Sequence, residues 1–222
     1  MKHRRVDAVV NLGDSLSGPL FPLETARFLM AQDWINLAGN HERQLITLDS
    51  RHRGLSDEYA YSQLGEEEFK WIHTLKSWYR FNAEVILCHG TIDSDIEYFL
   101  ETVEPKCFRA ASQDEIETRL GKVSADLIAC GHTHVPRVAR TTSGQLIVNP
   151  GSVGLPAFSD IHPHPHTVET GSSDARYAIA ERRNDVWTCV HIAVPYDHQN
   201  MAALALSRGR SDWAAALSNG RM

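Results

Sequence analysis

The sequence predicts an α/β domain, and three observations carry that prediction. Short apolar runs recur between residues 7 and 152, each of a length suited to a buried strand. Helical patterns separate most of them, which is the alternation of an α/β chain. Asp, Asn and His residues stand at the carboxyl ends of successive runs, where the sites of such domains gather.

The elements follow in order. "DAVVNLGD" gives a first strand ending at Gly13-Asp14. "PLETARFLMAQ" follows as a helix, and Pro22 suits its first turn, where an amide donor is not needed. "WINLAGNHE" gives a second strand ending at Asn40-His41-Glu42. "EEEFKWIHTLKSWYR" reads as a helix whose Glu66, Glu67 and Glu68 complement the dipole at its start. "EVILCHG" is a third strand, ending at His89. "SQDEIETRLGK" is a helix with Ser112 and Glu115 at capping-box spacing. "DLIACGHTH" and "QLIVNPGS" are the fourth and fifth strands. After Gly151, "FSDIHPHPHTVETGSSDA" is polar and broken by proline, so it reads as a mobile solvent loop. "RYAIAERRNDVWTCVHIAVPY" reads as two strands joined by a turn at Arg183-Asn184-Asp185. The tail reads as two short helices, with Ser211 as N-cap of the second. No internal repeat or long linker divides the chain, so residues 1–222 are read as a single domain with a substantial core.

Composition narrows the function. A hydrophobic fraction of 42% and a charged fraction of 23% are those of a soluble globular protein. A net charge of -6 argues against broad nucleic-acid binding, which relies on a basic face. Cys88, Cys107, Cys130 and Cys189 form no C-x-x-C unit, and three of them sit in apolar runs. They read as reduced, mostly buried thiols of a cytoplasmic protein. The basic start is followed by an apolar stretch that Asp7 interrupts, unlike a signal peptide. No run approaches membrane-crossing length, so no membrane partner is expected.

The chemistry lies in the strand ends. His132 and His134, two apart, share one side of an extended chain. They could grip one metal ion or two, or form an ordinary polar exit from a strand. Asp14 alone could be a turn carboxylate. Asn40-His41 after Gly39 could cap a following helix, and His89 could be a satisfied structural histidine. Asp14, Asn40, His41, His89, His132 and His134 together, at four strand ends, point to convergence. Their mixed oxygen and nitrogen donors suit Mn, Fe, Co or Zn better than Ca or Mg. Two such ions about 3.5–4 Å apart can activate a bridging water and clamp a phosphoryl group. That chemistry needs a further group near the leaving oxygen, and His41 is adjacent to Asn40. The prolines of "HPHPH" hold His162, His164 and His166 extended without shaping a metal cage.

"GD" at Gly13-Asp14, "GNHE" at Gly39 to Glu42, "HG" at His89-Gly90 and "GHTH" at Gly131 to His134 occur in that order. The set resembles the calcineurin-like metallophosphoesterases, more closely their small bacterial phosphodiesterase branch, over essentially the whole chain. The resemblance implies a two-sheet sandwich flanked by helices. It implies that Asp14 bridges two metals, that Asn40, His89 and His132 complete the second metal site, and that His134 binds the first. His41 would contact the phosphate and help protonate the leaving group. "NPGSVGLP" from Asn149 resembles a turn beside the site. The implied activity is a metal-dependent phosphoesterase, in this branch a phosphodiesterase, using a metal-activated water on a phosphate ester.

One part of the family pattern is missing. Members begin with a strand ending in Asp-x-His, followed by a helix, and those two residues ligate the first metal. Here His3 and Asp7 stand in the reverse order and precede the "GD" strand. A unit on the order of thirty residues is therefore expected to be absent, with a native start upstream of Met1 as the favoured explanation. The chain would then hold at most one metal firmly, with hydrolysis much reduced. A homo-oligomer or a strand-filling partner would be another way to close the gap. The competing function is a non-catalytic scaffold or ligand-binding protein of the same fold, for which the retromer subunit is a precedent.

Overall fold

The centre of the computed structural model, which describes residues 6–105 and 107–222, is built by the apolar runs read above. In chain order the elements are β1 Val10–Asn11, α1 Pro22–Met30, β2 Ile35–Asn36, α2 Asn40–Thr47, α3 Leu55–Gln63, α4 Glu66–Ile72, β3 Trp78–Arg80 and β4 Val85–Cys88. Next come β5 Glu101–Glu104, β6 Cys107–Ala110, α5 Gln113–Leu120, β7 Leu127–Ala129, β8 Arg137–Arg140 and β9 Leu146–Asn149. The remainder is β10 Ala157–Asp160, β11 His166–Glu169, β12 Ala175–Arg183, β13 Val186–Val194, α6 His198–Ser207 and α7 Ser211–Asn219.

A five-stranded sheet has the order β3-β4-β7-β9-β8. Its central strands β4, β7 and β9 are parallel, and β3 and β8 close the edges antiparallel. The side-chain alternation of a strand sends Ile86, Cys88, Ile128 and Ile147 to one face, under Ile116 and Leu120 of α5. Val85, Leu87, Leu127, Leu146 and Val148 go to the other, under Leu12 and Leu37. Both faces are buried, so these strands read as continuous hydrophobic runs.

The second layer of the expected sandwich is present, in two pieces. One is the parallel pair β1-β2, the other the antiparallel hairpin β12-β13. Ile35 and Leu37 donate to the carbonyls of Val9 and Asn11. Val10 therefore turns its backbone groups away from β2, while the Leu12 carbonyl is taken by the His89 ring. A cavity of about 2570 Å³ lies between the pieces. Its walls include Val10 and Leu12 on one side and Ala178 and Ala180 on the other, with Leu87 and Ala129 of the sheet beneath. Asp14 and His134 also line it.

Some expectations needed correction. The helix read from Glu66 ends at Ile72, and Trp78–Arg80 instead pairs with Ile86–Cys88. Covering the edge of β4 outweighs the helical pattern there. The segment read as a mobile loop contains the hairpin β10-β11, anchored by fully buried Val168, with both prolines confined to its turn. Ser211 is the first helical residue of α7, not its cap; Arg210 takes the cap position. Helix α2 starts where Asn40-His41 after Gly39 left a helix start open, while α3 and the hairpin β5-β6 had no clear sequence signal. Pro22 and the Ser112/Glu115 box behave as read: Glu115 N–H donates to Ser112 Oγ at 3.3 Å, and Ser112 N–H to Glu115 Oε2 at 2.6 Å. Cys88 and Cys130 are buried, Cys189 is half-buried, and Cys107 is exposed; all are free thiols. No helix among the described residues is long and apolar enough to cross a membrane. His3 lies outside the described residues.

Candidate metal centre and active site

Two loops meet at the carboxyl ends of β1 and β2. Asp14 adopts a left-handed backbone (φ 55), entered through Gly13 (φ 97). A Cβ on Gly13 would collide with the Gly39 amide, and one on Gly39 with the Asp14 carboxylate, so both positions require glycine. The Glu42 carboxylate locks the loops together. It accepts the amides of Asp14 at 2.7 Å, Ser15 at 2.8 Å, Leu16 at 3.2 Å and Gly39 at 2.8 Å, while itself buried. Burial first, and then the charge of Asp14, push the Glu42 carboxyl upward against the pull of those amides.

Two of the expected ligands, His89 and His132, approach Asp14. Nδ1–H of His89 donates to the Leu12 carbonyl at 2.6 Å, which leaves Nε2 2.9 Å from Asp14 Oδ2. Nε2–H of His132 donates to the Ile96 carbonyl at 3.2 Å, and its Nδ1 lies 3.9 Å from the same carboxylate oxygen. A backbone carbonyl on the far nitrogen fixes each ring's orientation, as in metal sites generally. The ligand atoms of Asp14, His89 and His132 all lie within 4.8 Å of one another. His132 (φ 66) and His134 (φ 60) share the left-handed backbone, a cost that clusters at functional positions.

Asn149 supports this turn from β9. Its amide donates to the Gly131 carbonyl at 2.7 Å and to Thr133 Oγ1 at 2.9 Å, which explains why "NPGS" accompanies "GHTH".

A test of fit comes from polar atoms left without partners. Seven buried side-chain atoms have no neutral hydrogen-bond partner among the described residues; three, Glu101 Oε2, Arg176 Nε and His198 Nδ1, are not on expected ligands, and the other four are Asn40 Oδ1, His132 Nδ1, His134 Nδ1 and His89 Nε2, the last facing only the Asp14 carboxylate. Orphans of this kind are rare and costly. All four belong to residues expected to bind metal, and all are donors a divalent cation would accept.

The charges agree with that fit. Burial alone would raise Asp14, but His89 and His41, with His132 adding, hold it well below the usual carboxylate range. Burial opposes protonation of His89, yet Asp14 outweighs it and raises the imidazole. The proton shared by this pair stands where a cation would compete for it. His134 is pushed down to about 4 by burial against the pull of Asp14, so it is neutral near pH 7, as a metal ligand must be.

His41 is held differently. Its backbone amide donates to Asp14 Oδ1 at 2.9 Å, and its Nδ1 lies 2.8 Å from Asp57 Oδ1. Asp57, in the first turn of α3, is buried, whereas the His41 side chain is 36% exposed and lines the cavity. Burial works against the imidazolium, but Asp14 and then Asp57 raise its pKa to about 9.

"HPHPH" does not join this cluster. His166 is stacked on Phe108 and takes the Tyr98 hydroxyl at 3.0 Å, and the Tyr98 ring packs edge-on against His132. His166 is therefore a wall behind His132, not part of a free loop. Sequence reasoning assigned no role to Glu42, Asp57 or Asn149. Glu42 and Asn149 lay inside quoted motifs; Asp57 carried no signal, because the start of α3 was not recognised.

Residues 1–173 match the calcineurin-like phosphoesterase superfamily domain. No curated protein matches the sequence. Among solved structures the chain is similar to a metallophosphoesterase from Sphaerobacter thermophilus, with 22% identity over 97% of this chain and 89% of that one, at a TM-score of 0.73. It is also similar to the hypothetical protein PH1004 from Pyrococcus horikoshii OT3, with 16% identity over 99% and 87% of the two chains, at a TM-score of 0.69. At these identities the likeness is one of fold.

Proposed function

Because the chain belongs to the calcineurin-like phosphoesterase superfamily, we propose that it is a metal-dependent phosphodiesterase working at the Asp14 cluster. The observation that carries this reading is the approach of the His89 and His132 rings to one carboxylate, with the ligand atoms of Asp14, His89 and His132 within 4.8 Å of one another. Asp14, Asn40, His89 and His132 would hold one divalent cation, drawn from Mn, Fe, Co or Zn by the mixed nitrogen and oxygen donors. Asp14 and His134 would contribute to a second. Bound cations of this kind supply Lewis-acid charge stabilisation and lower the pKa of a coordinated water. Nδ1 of His41 faces Asp57, so Nε2 is the atom that delivers a proton to the leaving oxygen of the ester. The neighbouring carboxylates favour the protonated ring that this step requires.

The test is direct. Chelation should abolish hydrolysis of bis(p-nitrophenyl) phosphate, and added Mn should restore a low but measurable rate. No hydrolysis with Mn, Fe, Co or Zn would overturn the reading.

A second reading, a strand-accepting scaffold in the same cytoplasmic setting, is favoured by the open backbone of β1 across the cavity from β12. An added strand there would pair backbone groups that are otherwise left to solvent. Light scattering coupled to the hydrolysis assay separates the readings. A monomer with metal-dependent turnover supports the enzyme; a stable oligomer or complex that is inert with every metal supports the scaffold.

A further inference from the structure

We propose that Arg176 is a substrate-binding residue: its guanidinium receives a second oxyanionic group, phosphate or carboxylate, of an ester whose scissile phosphate lies at the Asp14 cluster. The inference deepens the phosphodiesterase reading and rests on it for the substrate class. The anion site itself stands on the surroundings of Arg176.

Five arginines line the cavity beside the metal centre: Arg43, Arg119, Arg176, Arg182 and Arg210. Four of them are matched by carboxylates. Arg43 lies 2.6 Å from Asp95, Arg182 3.2 Å from Glu84 and Arg210 2.6 Å from Asp212. Arg119 lies 3.9 Å from Glu97 and also bonds the carbonyls of Phe99 and Glu101. Arg176 is the exception. Its side chain has no ion pair among the described residues, and its Nε is buried without a hydrogen-bond partner. A guanidinium does not escape that cost by losing a proton. A buried charged donor is costly until something accepts from it. The planar fork of donors matches the oxygens of a phosphate or a carboxylate.

The side chain is also held in place. Arg176 lies on the same face of β12 as Ala178, which packs against the core beneath the cavity. Its backbone amide donates to the Ser152 carbonyl at 2.9 Å. Its stem rests on Gly151, where a Cβ would come within 3.0 Å of Arg176 Cβ and 3.4 Å of its Cδ. Asn149, two residues earlier, ties this turn to Gly131 and Thr133. The guanidinium is therefore placed relative to the loop that carries His132 and His134. It does not belong to the metal cluster. The charges that act most on Asp14 are those of His89 and His41, and those that act most on His134 are Asp14 and His132. The scissile phosphate is faced by the cations and His41, so the group left for Arg176 is a second anion on the substrate.

The experiment uses the full chain with Mn and a set of p-nitrophenyl phosphodiesters. Their second arm is an alkyl chain that ends in methyl, carboxylate or phosphonate, made with short and long spacers. The leaving group is constant, so differences report on the arm. Wild type should prefer an anionic ester over its methyl counterpart at one spacer length or more, chiefly through KM. Arg176→Gln should lower kcat/KM about 10–100-fold more for that ester than for the methyl one, and Arg176→Lys should recover part of the loss. The anion with the larger effect identifies the group. No wild-type preference at any spacer length, or an equal loss across the esters in Arg176→Gln, would overturn the proposal. A second readout needs no turnover. In the metal-free chain the ¹⁵N–¹H resonance of Arg176 Nε should shift saturably with methylphosphonate or with acetate, and a resonance unmoved by both overturns the anion site. The wild-type measurements need no variant, so a misfolded substitution does not remove the test. A chain inert toward every ester whose Arg176 resonance still responds fails the phosphodiesterase reading and leaves the anion site standing. A chain that hydrolyses the esters without regard to the arm does the reverse.

Discussion

On one side of Asp14, His89 and His132 are delivered by β4 and β7, neighbouring parallel strands buried on both faces of the main sheet. Each ring is locked by a backbone carbonyl, and Asn40 joins them from the start of α2. On the other side stands His134, two residues beyond His132 in the loop after β7; the residues of both sides line the cavity of about 2570 Å³. One flank has a carboxylate, an amide oxygen and two imidazoles; the other has the same carboxylate and one imidazole. The difference is one of donors: among the described residues the ligand atoms of Asp14, His89 and His132 lie within 4.8 Å of one another, and that group does not include His134.

This contrast can be broken most sharply by comparing two histidines. His89→Ala should eliminate the retained metal, because Asp14 then keeps too few ordered partners. His134→Ala should leave metal content nearly unchanged while lowering turnover. Plasma emission analysis after dialysis reads both, and equal loss in the two variants would show that the flanks are not distinct. His41→Ala comes next: about 10²–10⁴-fold lower kcat with full metal content, measured by steady-state kinetics. Metal loss matching that of His89→Ala would place His41 among the ligands.

Glu42→Ala should cost roughly 3 kcal/mol in urea unfolding, because four backbone amides lose a charged acceptor. A change under about 0.5 kcal/mol would mean that the loops hold their shape without it.

His41 and His134 should also titrate in opposite senses in the metal-free protein. His41 has a folded pKa of about 9, above an ordinary value of about 6.5. Between those values the folded state binds more protons than the unfolded one. The stability it contributes is complete below about 6.5 and is lost as pH rises through about 9. His134, lowered to about 4, behaves in reverse: stability holds above about 6.5 and falls as pH drops toward 4. Urea midpoints across this range should show His41→Gln flattening the alkaline limb alone. An unchanged alkaline limb would contradict the raised pKa. The smallest effect is expected at Tyr98→Phe, which removes the hydroxyl bond to His166 at a cost of about 0.5–1.5 kcal/mol. No measurable change in melting temperature would show that wall to be dispensable.

Much of this contrast was legible in residue order. The apolar runs before His89 and His132 announced buried strands, and the polar residues at their ends fell where α/β sites form. What the sequence concealed depended on contacts between distant segments. Asp57 is an unremarkable helix residue until α3 packs on α2. Glu42 is a motif letter until four amides turn toward it. His166 reads as one histidine in a proline-rich stretch until Phe108 and Tyr98 close around it. The short hairpins β5-β6 and β10-β11 escaped because four-residue strands carry too little periodicity to separate them from loops.

The central claim is the inequality of the two metal positions around Asp14. Loading the chain with Mn, dialysing exhaustively, and measuring bound metal per chain alongside turnover tests it most directly. The account predicts no more than one retained ion, held by Asp14, Asn40, His89 and His132, with weak hydrolysis that rises when free Mn is added back. Two ions retained through dialysis, with robust turnover and no response to added metal, would contradict it.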